Sequence, residues 1–244
     1  MNFNECSLCP RNCRVNRNEA KGYCGETNKI RISRADLHFW EEPTISGDKG
    51  SGAVFFTGCP LKCVFCQNYD IAHNLKGREV SEEELSDVFF RLKSKGAHNI
   101  NLVTADHFIP LVAKAIKLSK ERGIDLPFIY NSGGYVNVES LKLLDGLIDV
   151  YLPDFKYYSS FVSLKYSNAR QYPSVAKNAI EEMVRQCGEC VFENGLIKKG
   201  VIVRHLVLPG NVADSKKVLD YLYNTYKDKI FIRKNIEIIK NIFL

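Results

Sequence analysis

Three cysteines stand close together in the stretch 58–68, which reads GCPLKCVFCQN: Cys59, Cys63 and Cys66. Their spacing is C-x3-C-x2-C, and they directly follow a short apolar run at 53–56. Thiolates this near in sequence can converge on one metal centre, and soft sulfur selects iron–sulfur clusters or zinc. A four-iron cluster has four corners, so three cysteines leave one iron without a protein ligand. Because an open coordination position is typical of a reactive metal site, this stretch predicts a metal centre that takes part in chemistry.

A second group of cysteines lies in the first 50 residues, with the spacing C-x2-C-x3-C-x10-C: Cys6, Cys9, Cys13 and Cys24. This segment carries little apolar sequence, so we expect it to need a metal to stay folded. Four thiolates make a closed site, suited to zinc or to an accessory four-iron cluster, and the spacing does not choose between them. Two alternatives stay open: four free thiols in a loop, or a site in which another group replaces Cys13.

The elements that must position these cysteines alternate regularly along the chain. Ser81 and Glu84 form a capping box that begins a helix reaching about Lys95. Apolar runs and amphipathic segments predict the other elements: strands at about 52–57, 99–104, 127–131, 148–153, 201–208 and 229–232, and helices at about 107–122, 137–145, 173–186 and 213–226. Near-continuous apolar strands between amphipathic helices favour an α/β fold with a parallel sheet. Six such steps are fewer than the eight of a full (β/α)8 barrel.

Polar residues recur where the predicted strands end, and active sites of barrels lie at the carboxyl ends of strands. Charges inside apolar strands are costly to bury unless they are paired. Asp154, Lys156 and Arg204 therefore either bind a ligand that carries both charges or form an internal ion-pair network. His205 alternates away from Arg204 on its strand, so we expect it to pack rather than catalyse. His107 fits equally well as a site residue or as the beginning of a helix.

Four blocks occur in order along the chain: GCPLKCVFCQN (58–68), NINLVT (99–104), YLPDFK (151–156) and VRHLVLPG (203–210). Together they make the chain similar to the radical S-adenosylmethionine (SAM) superfamily, and within it to proteins related to the pyruvate formate-lyase-activating enzyme. The likeness runs from about Cys6 to about Ile232. It implies a partial (β/α)6 TIM-like barrel, in agreement with the strand count. It also implies a [4Fe–4S] cluster on Cys59, Cys63 and Cys66, whose open iron is chelated by the amino and carboxylate groups of SAM.

The resemblance further implies that a set of residues at the strand ends contacts SAM: Phe65, Asp106, Asn131, Ser132, Gly133, Asp154, Lys156 and Arg204. The family usually has Gly-Gly-Glu at the end of its second strand, where the glutamate contacts the SAM amino group. This chain has Thr104, Ala105 and Asp106 there instead. Asp106 keeps a carboxylate, with a shorter reach.

The activity implied by the resemblance is reductive cleavage of SAM to a 5′-deoxyadenosyl radical that abstracts a hydrogen atom. In the activating enzyme the target is a backbone glycine of a glycyl-radical enzyme, and a flavodoxin- or ferredoxin-type protein is the expected reductant. A peptide or small molecule is an alternative substrate. Two other classes stay open: an iron–sulfur electron carrier without SAM chemistry, and a zinc-dependent binding module.

Composition places further limits on these hypotheses. The net charge of +6 is mild and spread along 244 residues, so we expect no nucleic-acid partner. The first residues lack a signal-peptide core, and no run of 18 apolar residues predicts a membrane span. We therefore expect a cytoplasmic protein in which the clustered cysteines, seven of the nine, bind metal rather than form disulfides. Cys187 and Cys190 form a C-x2-C pair, a spacing that redox motifs use, and the resemblance requires no cysteines there.

The chain divides by these patterns into a cysteine-rich N-terminal segment (1–50), a core barrel (51–232) and an atypical tail (233–244). The tail reads RKNIEIIKNIFL and is built almost entirely from residues with A/T-rich codons. We expect a frameshifted or prematurely stopped reading frame that removes the last barrel-closing segment. Sequencing the locus tests this expectation, since an intact frame without a downstream remnant contradicts it.

Overall fold

The computed structural model describes residues 3–235 of the chain. Its strands are β1 (Ile30–His38), β2 (Ser51–Phe56), β3 (Arg78–Val80), β4 (Ile100–Val103), β5 (Phe128–Ser132), β6 (Val150–Pro153), β7 (Val191–Glu193), β8 (Leu196–Leu206) and β9 (Phe231–Asn235). Its α-helices are α1 (Pro43–Ser46), α2 (Tyr69–His73), α3 (Glu82–Ser94), α4 (Ile109–Glu121), α5 (Val138–Leu141), α6 (Ser160–Ser167), α7 (Tyr172–Cys187) and α8 (Val212–Tyr226). Short 3-10 helices follow α5 at Lys142–Leu144 and α8 at Lys227–Lys229.

Six of the strands pair in parallel, in the order β2-β4-β5-β6-β8-β9. Helices α3, α4, α5, α7 and α8 lie in the connections between them. Parallel strands that are neighbours in both sequence and space, with helical crossovers, are the winding of a (β/α) barrel, and a full barrel has eight. The predicted α/β fold, a partial TIM-like barrel of six strands, is confirmed.

The parallel strands are buried because both faces of the sheet are covered. One face, which includes Leu102 and Tyr130, belongs to the large apolar core together with Phe89 of α3. Side chains alternate between the two faces of a strand, and Ile129 belongs to a second cluster that also contains Ile45 of α1. This coverage on both sides explains why the strands read as continuous apolar runs.

The N-terminal segment joins the same sheet. Strand β1 pairs antiparallel with β2, and β3 pairs antiparallel with β1. The sequence prediction contained neither strand, although Ile30 and Ile32 alternate with Arg31 and Ser33 and both isoleucines are buried. Strand β1 covers the edge that β2 would otherwise expose. The division at residue 50 stays a prediction, while β1 ties this segment to the barrel.

The predicted boundaries are correct where local signals were strong. The hydroxyl of Ser81 accepts a hydrogen bond from the Glu84 N–H at 3.1 Å, and the Glu84 carboxylate accepts one from the Ser81 N–H at 2.8 Å. This is the predicted capping box of α3. Helix α6 was not predicted. Its ends are nevertheless marked by Ser159, whose side chain caps the first turn, and by Asn168 in the left-handed conformation at φ 45°.

Strand β9 includes Arg233, the first residue of the predicted tail, and ends at Asn235. The remainder of that tail, residues 236–244, lies outside the described residues, so the expectation about it stays a prediction. Within residues 3–235, no helix combines the length and the apolar character that a membrane span requires.

Candidate active site

The cysteine loop begins where β2 ends, and its first turn requires a glycine. Gly58 has φ +75°, and a Cβ built on it would lie 2.7 Å from the carbonyl oxygen of Cys24. The Cys59 N–H donates a hydrogen bond to that same oxygen at 3.3 Å. A side chain at position 58 would displace this contact, so the glycine lets the loop lie directly against the N-terminal segment.

The three thiols of the loop line one cavity at the carboxyl ends of the parallel strands. Cys63 is buried, and Cys59 and Cys66 are half-buried. The Ser167 hydroxyl donates to the Cys63 sulfur at 3.0 Å, and the Leu61 N–H donates to the Cys59 sulfur at 3.4 Å. Burial raises the pKa of Cys59 to about 12 and also raises the pKa of Cys66. Because metals bind thiolates, metal binding here would release protons.

The donor chemistry of these thiols suits an iron–sulfur cluster or zinc. Among residues 3–235, no three His, Cys, Asp or Glu side chains come close enough together to share one metal ion. In a four-iron cluster each thiolate binds a different iron. Three thiols on one cavity would therefore leave one iron of such a cluster without a protein ligand.

The cavity next to these thiols has a volume of about 360 Å³, within the range of roughly 300–1,000 Å³ that is typical of small-molecule sites. Its walls come from the loop after β2 and from the ends of β4, β5, β6 and β8. They include every residue that the sequence analysis assigned to SAM: Phe65, Asp106, Asn131, Ser132, Gly133, Asp154, Lys156 and Arg204. The fold therefore brings the whole set together, while their roles toward SAM stay predictions.

Arg204 is the centre of a charge network on the cavity wall. Its guanidinium donates to Asp154 at 3.0 Å, to Glu41 at 2.9 Å and to the side-chain oxygen of Asn131 at 2.7 Å. The Lys156 ammonium donates to the other oxygen of Asp154 at 2.6 Å. The internal ion-pair network that the sequence left open is therefore present, and it lies on the wall of the cavity.

The network keeps its members charged despite their burial. Burial opposes ionisation of Asp154, but Arg204 and Lys156 together outweigh it and lower the pKa of that carboxyl. Burial likewise disfavours the charged forms of Lys156 and Arg204, and the Asp154 carboxylate outweighs it and raises both pKa values. The cavity thus presents fixed charges of both signs, which suits a ligand that is itself both cationic and anionic.

Glu41 belongs to this network but was not predicted from the sequence. One of its oxygens accepts from Arg204, and the other accepts from the side chains of Asn101 at 3.1 Å and Asn131 at 2.9 Å. Its side chain is 12% exposed. Glu41 and its neighbour Glu42 match no motif in the sequence. It reaches the cavity only because β1 lies beside β2 in the sheet.

Asp106 lies just beyond the end of β4 and is buried. The hydroxyls of Tyr130 and Ser132 donate to one of its oxygens at 2.7 and 2.6 Å. Burial raises its pKa to about 6, although both hydroxyl hydrogen bonds act in the opposite direction. At neutral pH the group is therefore mostly a carboxylate, as contact with an ammonium group would require.

Thr104, at the end of β4, has a left-handed backbone with φ +62°. This conformation is unfavourable for a β-branched residue. It falls where the resembled family has the first glycine of Gly-Gly-Glu, and glycine adopts this conformation without strain. The backbone at position 104 therefore has the left-handed conformation that glycine adopts easily, although the residue is a threonine.

The turn after β5 holds the backbone of two strands together. Gly134 has φ +73°, and a Cβ built on it would lie 2.3 Å from the Asp154 carbonyl oxygen, so only glycine fits. The Tyr172 hydroxyl lies 3.0 Å from the Gly133 carbonyl oxygen and 2.9 Å from that of Asp154. It also accepts a hydrogen bond from the Lys156 N–H at 2.8 Å. Tyr172 was not predicted as part of the site, because an aromatic residue at the start of a helix is expected to pack in the hydrophobic core.

The two histidines near the site are both buried and structural. The His205 ring donates through Nδ1 to the Phe155 carbonyl at 2.7 Å, so the predicted packing role is confirmed. His107 precedes α4, and its Nε2 donates to the Thr57 carbonyl at 2.7 Å. Burial lowers the pKa of His107 to about 3, so the ring is neutral. The ambiguity over His107 therefore resolves toward packing.

Cys187 and Cys190 lie away from the cavity. The Cys187 thiol donates to the carbonyl of Asp149, just before β6, at 3.3 Å, and the Cys190 thiol donates to that of Val201 at 3.6 Å. These positions are at the amino end of β6, because Val201 pairs with Tyr151 there. The pair is therefore at the opposite end of the sheet from the three thiols of the loop. All nine cysteines of the chain are free of disulfides.

The four N-terminal cysteines are close to one another on the side of the loop where Cys24 meets Cys59. Cys6, Cys9 and Cys24 are buried, and Cys13 is half-buried. Burial, together with the charges of the other three thiols, raises the pKa of Cys9 to about 12. The fold therefore assembles the predicted group of four, although the metal that it would bind stays a prediction.

Comparison with curated proteins identifies two relatives. An uncharacterised protein of Methanocaldococcus jannaschii is 29% identical over 233 residues, which span 90% of this chain and 62% of that protein. This chain thus spans less than two thirds of the relative's length. The pyruvate formate-lyase-activating enzyme of Clostridium pasteurianum is 25% identical over 180 residues, covering 72% of this chain and 68% of the enzyme.

A solved structure and a family profile complete the comparison. The crystal structure of methylornithine synthase superposes with a TM-score of 0.51, covering 73% of this chain and 50% of that one. At 15% identity this likeness concerns the fold alone. The profile of the Radical SAM superfamily matches residues 53–222, which contain the cysteine loop and most of the barrel. The chain belongs to the radical SAM superfamily.

Proposed function

We propose that Cys59, Cys63 and Cys66 bind a [4Fe–4S] cluster whose open iron faces the cavity, and that SAM binds in that cavity. One observation carries this proposal: the three thiols line the same 360 Å³ cavity as the buried charge network. Family membership supports radical SAM chemistry, with a [4Fe–4S] cluster and SAM as its cofactors. The residue assignments rest on the geometry of the site.

The cavity residues divide by charge into partners for a zwitterionic ligand. Asp106 offers a carboxylate for the SAM ammonium group, held in place by Tyr130 and Ser132. Arg204 and Lys156 offer cations, and both already hydrogen bond Asp154. Bound SAM would share this preformed set of donors and acceptors, so little side-chain entropy has to be lost on binding.

The remaining residues orient SAM and exclude water. Phe65 stands between the second and third cluster cysteines and contacts the rings of Tyr157 and Tyr166, with centroids 6.2 and 6.3 Å away. Gly133 lines the cavity without a side chain, so a ligand could approach the backbone there. A bound cluster would supply the single electron that cleaves SAM to methionine and a 5′-deoxyadenosyl radical. Exclusion of water by bound SAM and substrate would protect such a radical from side reactions.

Anaerobic reconstitution with iron and sulfide, followed by reduction in the presence of SAM, tests this proposal. We expect a brown protein that releases 5′-deoxyadenosine. The variant Cys63→Ala should lose this activity because it removes a cluster ligand. The matched control Cys187→Ala removes a buried cysteine at the opposite end of the sheet and should keep it. Clusters without SAM cleavage would instead favour an electron carrier, and colourless zinc protein a binding module.

We further propose that the radical abstracts hydrogen from a backbone glycine of a partner glycyl-radical enzyme, with a flavodoxin- or ferredoxin-type protein as reductant in a reducing cytoplasm. The support is the 25% identity to the activating enzyme over 72% of this chain. The experiment is co-purification of a glycyl-radical enzyme, followed by electron paramagnetic resonance of the mixture with SAM. A glycyl doublet supports the proposal. Deoxyadenosine formation that responds only to a peptide or small molecule contradicts it.

A further inference from the structure

Two of the N-terminal thiols lie beside one glycine. A Cβ built on Gly22 would lie 3.5 Å from the sulfurs of both Cys13 and Cys24. Cys6 and Cys9 are 4% and 6% exposed. Buried thiols alone give only the small hydrophobic gain of a cysteine side chain, whereas four cysteines in one short segment are the ligand set of a metal group.

A buried cation lies beside these thiols and has no carboxylate partner. Arg17 is 0% exposed. Its guanidinium donates to the backbone carbonyls of Glu26 at 3.2 Å, His107 at 2.7 Å and Thr27, and it contacts the Cys6 sulfur at 3.8 Å. Within residues 3–235 it forms no ion pair. The buried Glu26 carboxylate is near enough that the Arg17 charge acts on its pKa, which burial raises, but Glu26 pairs with Arg31 at 3.8 Å. A buried guanidinium that is bonded to carbonyls and a sulfur favours a further anion beside it, and a metal–thiolate group would supply one.

The choice of a cluster over zinc follows from the loop that this group contacts. That loop belongs to a family that uses a four-iron cluster. Four cysteines supply one thiolate for each iron of a second such cluster. Zinc has no redox chemistry, so only an iron–sulfur group at this contact could exchange electrons with a cluster at the loop.

The two cysteine groups are in direct contact. The hydrogen bond from the Cys59 N–H to the Cys24 carbonyl joins a member of one group to a member of the other. The region around it is closely packed, because a Cβ on Gly58 would meet the Cys24 oxygen at 2.7 Å and the His107 ring at 3.2 Å. Two metal groups bound here would be separated by protein alone.

We propose that Cys6, Cys9, Cys13 and Cys24 bind a second [4Fe–4S] cluster, and that this cluster passes electrons to the one at Cys59, Cys63 and Cys66. The relay, unlike the second cluster itself, rests on the proposed function. A one-electron protein reductant of the flavodoxin or ferredoxin class reduces the N-terminal cluster. That cluster is reoxidised as the barrel cluster accepts the same electron, and no proton or bond is exchanged in the transfer.

Iron and sulfide content after anaerobic reconstitution of the full chain tests the second cluster. We expect roughly eight irons per chain in the unaltered protein and roughly four in Cys59→Ala/Cys63→Ala/Cys66→Ala, since each cluster holds four. The variant Cys13→Ser/Cys24→Ser should also keep roughly four. Electron paramagnetic resonance of the reduced protein should show two signals, of which only one changes when SAM is added. Zinc in the N-terminal group, or an iron-free triple variant, would overturn the proposal.

A single substitution keeps the second cluster testable if the double variant does not fold. Cys13 is the least buried of the four, so Cys13→Ser alone should fold if the double variant does not. Cys13→Ser should alter the electron paramagnetic resonance signal that does not respond to SAM. The SAM-sensitive signal should stay as it is in the unaltered protein. If neither signal changes in a folded Cys13→Ser protein, the assignment of Cys13 is wrong.

The relay is tested by comparing two reductants in the SAM cleavage assay. Cys13→Ser/Cys24→Ser should lose most cleavage when a flavodoxin-class protein is the reductant, and keep it with dithionite, which is small enough to reduce the barrel cluster directly. Cys187→Ser/Cys190→Ser is the matched control and should behave like the unaltered protein. Equal activity with both reductants would overturn the relay. If the unaltered protein holds both clusters but cleaves no SAM, the proposed function fails while the iron content still supports the second cluster.

Discussion

The barrel cavity and the N-terminal cysteine segment are in direct contact, yet different forces hold them in place. Around the cavity, the ladder of parallel strands fixes the backbone, and the charged side chains satisfy one another. Residues 3–29 contain no strand or α-helix. Side-chain hydrogen bonds to backbone carbonyls tie them to the barrel, among them those from Arg11 to Pro60 at 2.7 Å and Ser167 at 2.8 Å and from Ser140 to Leu8 at 2.6 Å.

This difference shows two ways to build a metal or ligand site. The barrel site is positioned by strands that belong to the large apolar core. The N-terminal segment has little apolar sequence, so side-chain donors, and a metal if one binds there as we propose, take the place of a core. The two regions should therefore respond differently when single contacts are removed.

The largest effect is expected at Arg204. The change Arg204→Met leaves the Glu41 carboxylate, which is 12% exposed, without its cation, and it leaves the Asp154 carboxylate, which is 20% exposed, with Lys156 alone. Loss of one partner of a buried pair costs about 3–5 kcal/mol, and urea unfolding measures it. Arg204→Lys keeps the charge but not the forked geometry, so we expect a smaller loss. A methionine variant within about 1 kcal/mol of the unaltered protein would show that the network contributes little to stability.

A somewhat smaller effect is expected at Arg17 in the metal-free protein. Arg17→Met removes a donor from three backbone carbonyls, of which that of Glu26 keeps the Gly22 N–H, and each carbonyl left without a donor costs about 1 kcal/mol or more. Because residues 3–29 contain no strand or α-helix and Arg17 joins three parts of the backbone, hydrogen exchange should become faster across this segment while the strands stay protected. Arg14→Met is the matched control, since its side chain is 69% exposed. Equal exchange in the two variants would contradict the role of Arg17.

A pH-dependent effect is expected at Asp106. Its pKa in the folded protein is about 6, above the ordinary value of 3.8, because the group is buried. The folded state therefore binds this proton more tightly than the unfolded state, and the stability that it contributes is lost as the pH rises from about 4 to about 6. Asp106→Asn does not ionise, so its stability relative to the unaltered protein should increase by about 1–3 kcal/mol over that interval. Unfolding both proteins at pH 4 and pH 7 checks this, and a constant difference would contradict it.

The smallest effect is expected at Thr104, where the left-handed backbone is strained. Thr104→Gly removes that strain and should stabilise the protein by about 1 kcal/mol, as measured by thermal unfolding. The same change at Thr225, an exposed residue inside α8, should destabilise it by less than about 1 kcal/mol. If both variants are destabilised, the turn after β4 is not strained.

Much of the barrel could be predicted because its signals are local. Six apolar runs predicted the six parallel strands, and the pair Ser81 and Glu84 predicted the start of α3. Strand β1 was missed since it is short of apolar residues and contacts the core mainly through Ile30 and Ile32. The position of polar residues at the strand ends was enough to predict which residues line the cavity, because the carboxyl ends of parallel strands all lie at the same edge of the sheet.

The site also contains residues that no local signal could reveal. Glu41 and Tyr172 contact the network through distant parts of the chain, 163 residues from Arg204 in the case of Glu41. Arg17 looks like an ordinary charged residue in a polar segment, yet it is completely buried. Residue type predicts exposure for such side chains, and only the packing of the whole molecule reverses that expectation.

The sequence by itself determined the chemistry that this protein can support: cysteines at C-x3-C-x2-C for a cluster with an open corner, and a succession of strands that must form a parallel sheet. These follow from spacing and periodicity, which are local properties. The tertiary structure alone decided which charges pair, which cation lies beside the N-terminal thiols, and that Cys24 contacts Cys59. Those relations depend on distances between residues far apart in the chain, and only the folded arrangement of the elements sets them.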